Sequence, residues 1–216
     1  NLVREGINAA HVHFVGNSMI DTLLSHRKAL DPASITSKLQ LRSDFVVATL
    51  HRPGNVDDPT QATALVSAVD NVARLIDVVL PLHPRGRALL LRQGIGALDG
   101  VHVIDPLGYL DFMSLVCASA AVITDSGGLQ EETTVLGIPC LTLRPNTERP
   151  VTISHGTNRL VTPDTLATIL SQTLTEQGKL PKRIPPLWDG NAGPRIARVI
   201  ADFLAERESE NDFTSK

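Results

Sequence analysis

The sequence predicts an α/β fold, a doubly wound parallel sheet. Two observations point there: short apolar runs rich in Val and Ile recur from end to end, and longer segments of helical period separate them. Continuous apolar strands bounded by helices suit a sheet covered on both faces, where neither strand face meets water. The length of 216 residues allows one large domain, or one domain with an appended piece, and a sizeable core.

Residues 11–15 read as a first strand, followed by Gly16-Asn17 and a helix that includes Ile20, Leu23 and Leu24. FVVATL at 45–50 is a second strand, and 59–76 a helix with Leu65, Val66, Val69, Val72 and Ala73 on one face. Further strands are expected at 78–82, 101–104, 121–124, 140–143 and 159–161. The Pro-, Gly- and Lys/Arg-rich stretch 178–194 reads as a connection, and an amphipathic helix over 192–205 carries Ile196, Val199, Ile200, Phe203 and Leu204 on one stripe. The tail ESENDFTSK is polar and expected to fray.

Composition narrows the function classes. Hydrophobic residues make up 42%, aromatics 3%, and the net charge is −3, which describes an ordinary protein with an aliphatic core and no global electrostatic footprint for nucleic acid. Cys117 and Cys140 lie in apolar surroundings without a CxxC pattern, so reduced core residues and a cytoplasmic location are expected. No run approaches the ~18 apolar residues of a membrane span, and no signal-peptide layout opens the chain. The seven histidines are scattered without metal-ligand spacing, and neither a GxSxG elbow nor a P-loop is present; no metal or cofactor is expected. The chain starts at Asn1 in sequence that already reads as mid-domain, so a preceding N-terminal portion is expected.

In a doubly wound sheet, ligands bind outside the carboxyl ends of the strands, at loops that lead into helices. Four places qualify: after Leu50 (HRPGNVDDP), Leu82 (HPRGR), Ile104 (DPLGYLDF) and Thr124 (DSGG). Gly127 and Gly128 would let a ligand's oxygens approach backbone N–H groups at the positive end of a helix dipole, with the Ser126 hydroxyl as an added donor. The competing reading is a tight structural turn, with Asp125 as a helix cap. Glu132 shares a helical stripe with Leu129, Thr133 and Leu136, where a bare charge is costly. Its partner is either a pair of sugar hydroxyls or a protein cation, while Glu131 is expected to face solvent. His51 and His83 each follow an apolar strand and come with arginines, which favours an anionic ligand over isolated structural histidines. Arg149 in the TERP segment can add a forked cation to the same layer.

Taken in order, VGNSMIDTLL, TLHRPGNVDDP, PLGYLDFMSLVCASAAVITDSGGLQEETTVLGIPCLTLRPNTERPVTISHGTNRLV and GNAGPRIARVIADFL resemble the C-terminal half of the non-hydrolysing UDP-N-acetylglucosamine 2-epimerases. The likeness covers almost the whole chain and is most specific from TDSGGLQEE to GTNRLV. It implies a Rossmann-like domain, the C-terminal, UDP-binding one of a two-domain glycosyltransferase-B architecture. Residues 1–17 would end the preceding domain, 18–180 would form the UDP-binding domain, 181–207 a connection and a helix crossing back, and 208–216 a disordered tail. By resemblance, His51 is the catalytic histidine beside the diphosphate and sugar, and His83 follows the second strand of this domain. Phe112 packs the uracil, Ser126, Gly127 and Gly128 hold the diphosphate, Glu132 the ribose hydroxyls, and Arg149 the anionic ligand.

The implied chemistry is elimination of UDP to an unsaturated sugar and re-addition with the opposite configuration at C2, interconverting UDP-GlcNAc and UDP-ManNAc. The ring-facing carboxylates of the family belong to its N-terminal domain, so the chain alone is expected to bind nucleotide poorly and turn over little. A homodimer is implied for the intact protein. Gly54 stands where relatives often carry Glu, and HPRGR is looser than the usual HPNP-like stretch. The competing functions are a sugar transferase of the same architecture and a non-catalytic nucleotide-sugar binding protein.

Overall fold

The computed structural model describes residues 2–52, 58–82, 84–176 and 184–214, with the backbone alone at 84, 85 and 208–214. Two compact units divide it: residues 26–185 form one, and residues 1–25 with 186–216 the other.

The larger unit is the expected α/β sheet. Its strands are β1 (Phe45–Thr49), β2 (Asp77–Pro81), β3 (Val101–Ile104), β4 (Ala121–Thr124), β5 (Cys140–Leu143) and β6 (Asn158–Val161). All five pairings are parallel, in the order β3-β2-β1-β4-β5-β6. The chain winds outward from β1 to β3, then returns to place β4 beside β1. The order of the strands therefore reverses between β1 and β4, the point at which such sheets open a crevice at their carboxyl ends.

Burial explains why the strands read as unbroken apolar runs. Val46, Val47 and Ala48 of β1 and Ala121, Val122 and Ile123 of β4 are all fully buried, so both faces are covered. One cover is the helix Pro59–Ala73, started by Asp58, whose carboxylate accepts from Thr60 N and Gln61 N, and by Pro59 in the first turn. Its apolar stripe, Ala62, Leu65, Val66, Val69 and Val72, lies in the core with Val78, Leu80, Leu141 and Leu170. The helix stops at Ala73, three residues short of the expected end.

Both cysteines are free; Cys140 is buried in β5 and Cys117 half-buried. Burial pushes both thiols up, that of Cys140 to about 11, so neither carries thiolate near neutral pH. No described helix is long and apolar enough to cross a membrane. Among the described residues there is no group of three or more metal-ligating side chains.

In the smaller unit, the strand expected at 11–15 does not form. Residues Ala9–His11 make a short 3-10 turn, and the chain runs on without a strand partner among the described residues. A short apolar run favours an extended chain, but strand structure also needs a neighbouring edge. The unit is tied together by Asp21, whose two carboxylate oxygens accept from Ala192 N at 3.1 Å and Gly193 N at 2.7 Å, capping the helix Ala192–Thr214. That helix runs on through most of the stretch read as a frayed tail. Gly16, with φ +103°, passes so close to the Leu187 carbonyl that a Cβ would collide with it. Leu2, Val3, Ile7 and Phe14, and on the helix Ile200, Phe203 and Leu204, keep about half or more of their surface exposed.

Candidate functional site

The last register pair of β1 and β4 is Thr49 with Thr124, and their hydroxyls lie 2.7 Å apart. Beyond it the two segments stay joined, the Asp125 N–H donating to the Thr49 carbonyl at 3.3 Å. Asp125 leaves β4 fully buried and does not cap the helix that follows. Its carboxylate reaches across to the end of β1, where it accepts from His51 N at 3.0 Å and Arg52 N at 2.9 Å. The His51 ring completes the contact, with Nδ1 at 2.9 Å from Asp125 Oδ1. Pairing at Nδ1 fixes the ring's orientation.

The next helix, α1 of the site (Gly127–Leu136), starts at Ser126, whose N–H is held by Thr124 Oγ1 at 2.9 Å. Ser126 gives no side-chain cap bond, so its hydroxyl is not spent on the first-turn N–H groups. Gly127 has no left-handed φ, and a Cβ built there would meet nothing within 4 Å. Neither backbone conformation nor packing within the described protein requires glycine at this position. An open space over first-turn N–H groups is what an anion cradle needs.

This helix is buried on all its faces, including Glu131 at 5% and Glu132 at 8% exposure. Glu132 Oε1 accepts from the Tyr109 hydroxyl at 2.9 Å. Burial holds the Glu132 carboxyl above its usual range; the Tyr109 bond opposes the shift and the Glu131 charge adds to it. The Tyr109 hydroxyl is pushed up in turn by burial and by the Glu132 charge. Its ring meets that of His26 edge to face at 6.4 Å.

Glu131 was expected in solvent and is not. The segment 144–150 returns over that face, and Glu131 Oε1 lies 2.9 Å from Arg149 Nε. The attraction is one of charge, since Nε has no partner in hydrogen-bond geometry. Arg144, with its side chain 3% exposed, holds Glu148 through two bonds, 2.7 Å from Nη1 and 2.5 Å from Nη2. Arg52 Nη2 approaches the same carboxylate at 3.4 Å. The Arg144 bond, with smaller help from Arg52, brings the Glu148 carboxyl down to about 2.

The predicted residues His51, Ser126, Gly127, Gly128, Glu132 and Arg149 thus stand on the carboxyl-end loops of β1, β4 and β5 or on the helix between the last two. Phe112 is half-buried in the first turn of the helix Tyr109–Ala118, its N–H donating to Gly108 O at 2.8 Å. His83 and Gly54 lie outside the described residues. Tyr109, Arg144 and Glu148 and the true role of Asp125 were missed. For Asp125 a signal existed, an acid and a histidine each following an apolar strand; Arg144 and Glu148 pair only four positions apart but outside regular structure, and Tyr109 meets Glu132 across 23 positions.

The profile of one family, described as UDP-N-acetylglucosamine 2-epimerase, matches residues 1–201. The chain belongs to this family. The epimerase of Methanococcus maripaludis is 32% identical over 212 residues, covering 93% of this chain and 57% of that relative. The UDP-2,3-diacetamido-2,3-dideoxy-D-glucuronate 2-epimerase of Pseudomonas aeruginosa is 37% identical over 211 residues, covering 93% and 56%. The solved Methanocaldococcus jannaschii UDP-GlcNAc 2-epimerase, crystallised with UDP-GlcNAc and UDP, superposes with a TM-score of 0.79 at 29% identity, over 93% of this chain and 57% of that one. The chain therefore spans little more than half the length of these epimerases, and the fold expected from the resemblance is the fold observed.

Proposed function

We propose that this chain is the UDP-binding half of a nucleotide-sugar 2-epimerase that interconverts UDP-GlcNAc and UDP-ManNAc. The observation that carries the reading is the His51–Asp125 pair set at the strand-order reversal beside the open Gly127 turn. Ser126, Gly127 and Gly128 offer N–H groups and a hydroxyl to the diphosphate, and Arg149 adds a cation. Glu132 accepts from the ribose hydroxyls, Phe112 packs against the uracil, and His83 is assigned to the ligand by the resemblance alone.

In the elimination step, a proton leaves C2 of the sugar as the C1–O bond to UDP breaks, which yields an unsaturated sugar and UDP. This half holds the departing diphosphate, and His51 Nε2 donates toward its oxygen while Asp125 supports the imidazolium. Re-addition returns the same UDP to C1 and a proton to the other face of C2. The groups that exchange the C2 proton belong to the complementary N-terminal half, with residues 1–17 as its end, 18–180 as the UDP-binding domain and 181–207 as a connection and a helix that returns to it. By this reading the chain alone turns over little, works in the cytoplasm and acts as a homodimer once complete.

The Pseudomonas relative's higher identity supports a second sugar, UDP-2,3-diacetamido-2,3-dideoxy-D-glucuronate, for the same chemistry. Incubating the protein, complementary half in place, with each UDP-sugar and no acceptor separates the readings. Formation of a C2 epimer from either sugar supports epimerisation and names the substrate. No epimer from either, or sugar transfer once an acceptor is added, rejects it.

A further inference from the structure

Behind the candidate site lies a closed ring of hydrogen bonds whose side chains have no task in the chemistry above. Gln130 is fully buried on the helix Gly127–Leu136. Its Nε2 donates to the Ser126 carbonyl at 2.9 Å, and its Oε1 accepts from Thr147 Oγ1 at 2.7 Å and from Asn158 Nδ2 at 3.0 Å. The same Asn158 amide donates to Thr152 Oγ1 at 3.0 Å, and the Thr152 hydroxyl donates to the Arg149 carbonyl at 2.7 Å. The Arg149 N–H donates to Thr147 Oγ1 at 2.9 Å, which closes the path.

Every direction in this ring is determined by chemistry. The carbonyls of Ser126 and Arg149 only accept, and the Arg149 N–H only donates. The Thr152 hydroxyl spends its proton on the Arg149 carbonyl and can only accept from Asn158, so the Asn158 NH2 faces Thr152 and Gln130 and its Oδ1 accepts from the Thr142 hydroxyl at 2.6 Å. Each carboxamide then has a single orientation. The stretch from Arg144 to Pro150 lies outside regular structure, so no helix or strand ladder fixes it locally. Holding both backbone groups of Arg149 removes much of the freedom such a stretch would otherwise keep.

We infer that Gln130 is a positioning residue that, through this ring, sets the Arg149 backbone against the Ser126 turn so that guanidinium and cradle meet the same diphosphate. The inference rests on the proposed reading of the site. Gln130→Glu keeps the shape but places an acceptor against the Ser126 carbonyl. Thr147→Val, at a half-buried position outside the helix, cuts only the link from Arg149 N–H to Gln130 and keeps α1 of the site intact.

Titrations of the protein, complementary half in place, with UDP, and separately with uridine, read the effect by calorimetry, with thermal midpoints recorded alongside. Both variants are expected to weaken UDP about fivefold or more while uridine, which lacks the diphosphate, stays within about twofold of wild type. Thr147→Val combined with Arg149→Gln should bind UDP no more weakly than Arg149→Gln alone, because the two changes act through one contact. Wild-type UDP affinity in Thr147→Val, equal losses for UDP and uridine, or losses that multiply in the double variant would each overturn the inference while the proposed function stands. No response of the wild-type protein, complementary half in place, to UDP removes both together. Should Gln130→Glu fail to fold, Thr147→Val carries the test.

Discussion

Asp125 Oδ1 lies 2.9 Å from Nδ1 of His51, joining the ends of the two strands between which the sheet order reverses. The same buried carboxylate accepts the His51 and Arg52 N–H groups, so one side chain both closes the backbone and aims the imidazole. Asp125→Asn keeps one oxygen for the two N–H groups and turns an NH2 toward His51 Nδ1 in place of the carboxylate oxygen. It should cost about 1–3 kcal/mol in urea unfolding, the usual penalty for a buried polar group left unmatched. His51→Ala, with the side chain 42% exposed, should cost little stability and weaken UDP about tenfold by titration calorimetry. Unchanged affinity in His51→Ala would remove the histidine from the site.

Glu132 combines a functional placement with an energetic cost. Its folded-state pKa is raised, so the charged carboxylate opposes folding above that value, and the penalty vanishes as pH falls below the ordinary carboxylate range. Glu132→Gln retains an oxygen for the Tyr109 hydroxyl and removes the buried charge. Near neutral pH the variant should melt higher than wild type, on the order of 2 °C, with the gap closing at acid pH, while UDP affinity falls. A lower melting point at neutral pH would contradict this assignment.

Gly127 and Gly156 should respond to alanine in opposite ways. The Gly127 site is open and its φ ordinary, so Gly127→Ala should be neutral or gain up to about 1 kcal/mol of stability and still lose UDP binding. A Cβ at Gly156 would collide with the Thr134 hydroxyl and the Thr152 carbonyl. Gly156→Ala should therefore destabilise by about 2 kcal/mol. Chemical unfolding of both variants, with UDP titrations on Gly127→Ala, checks the pair.

Most of the sheet was legible because buried parallel strands write themselves as unbroken apolar runs: 101–104, 121–124 and 140–143 are strands with the expected bounds. Residues 11–15 misled because a short apolar run encodes an extended chain but not the presence of a neighbour. Of the candidate site, the placement of His51 and of Ser126 to Gly128 just past the ends of apolar strands was legible, because that signal is local. Glu131 was misplaced because helical period assigns a solvent face to any residue opposite the apolar stripe. Here Arg149, eighteen positions on, covers that face, and such a contact leaves no periodic trace.

A crystal structure of the protein with UDP tests the central claim most directly. Diphosphate oxygens are expected within hydrogen-bond distance of the amide nitrogens of Gly127 and Gly128, and ribose hydroxyls on Glu132. Nucleotide density at another place, with the Ser126–Gly128 turn free of it, would contradict the account.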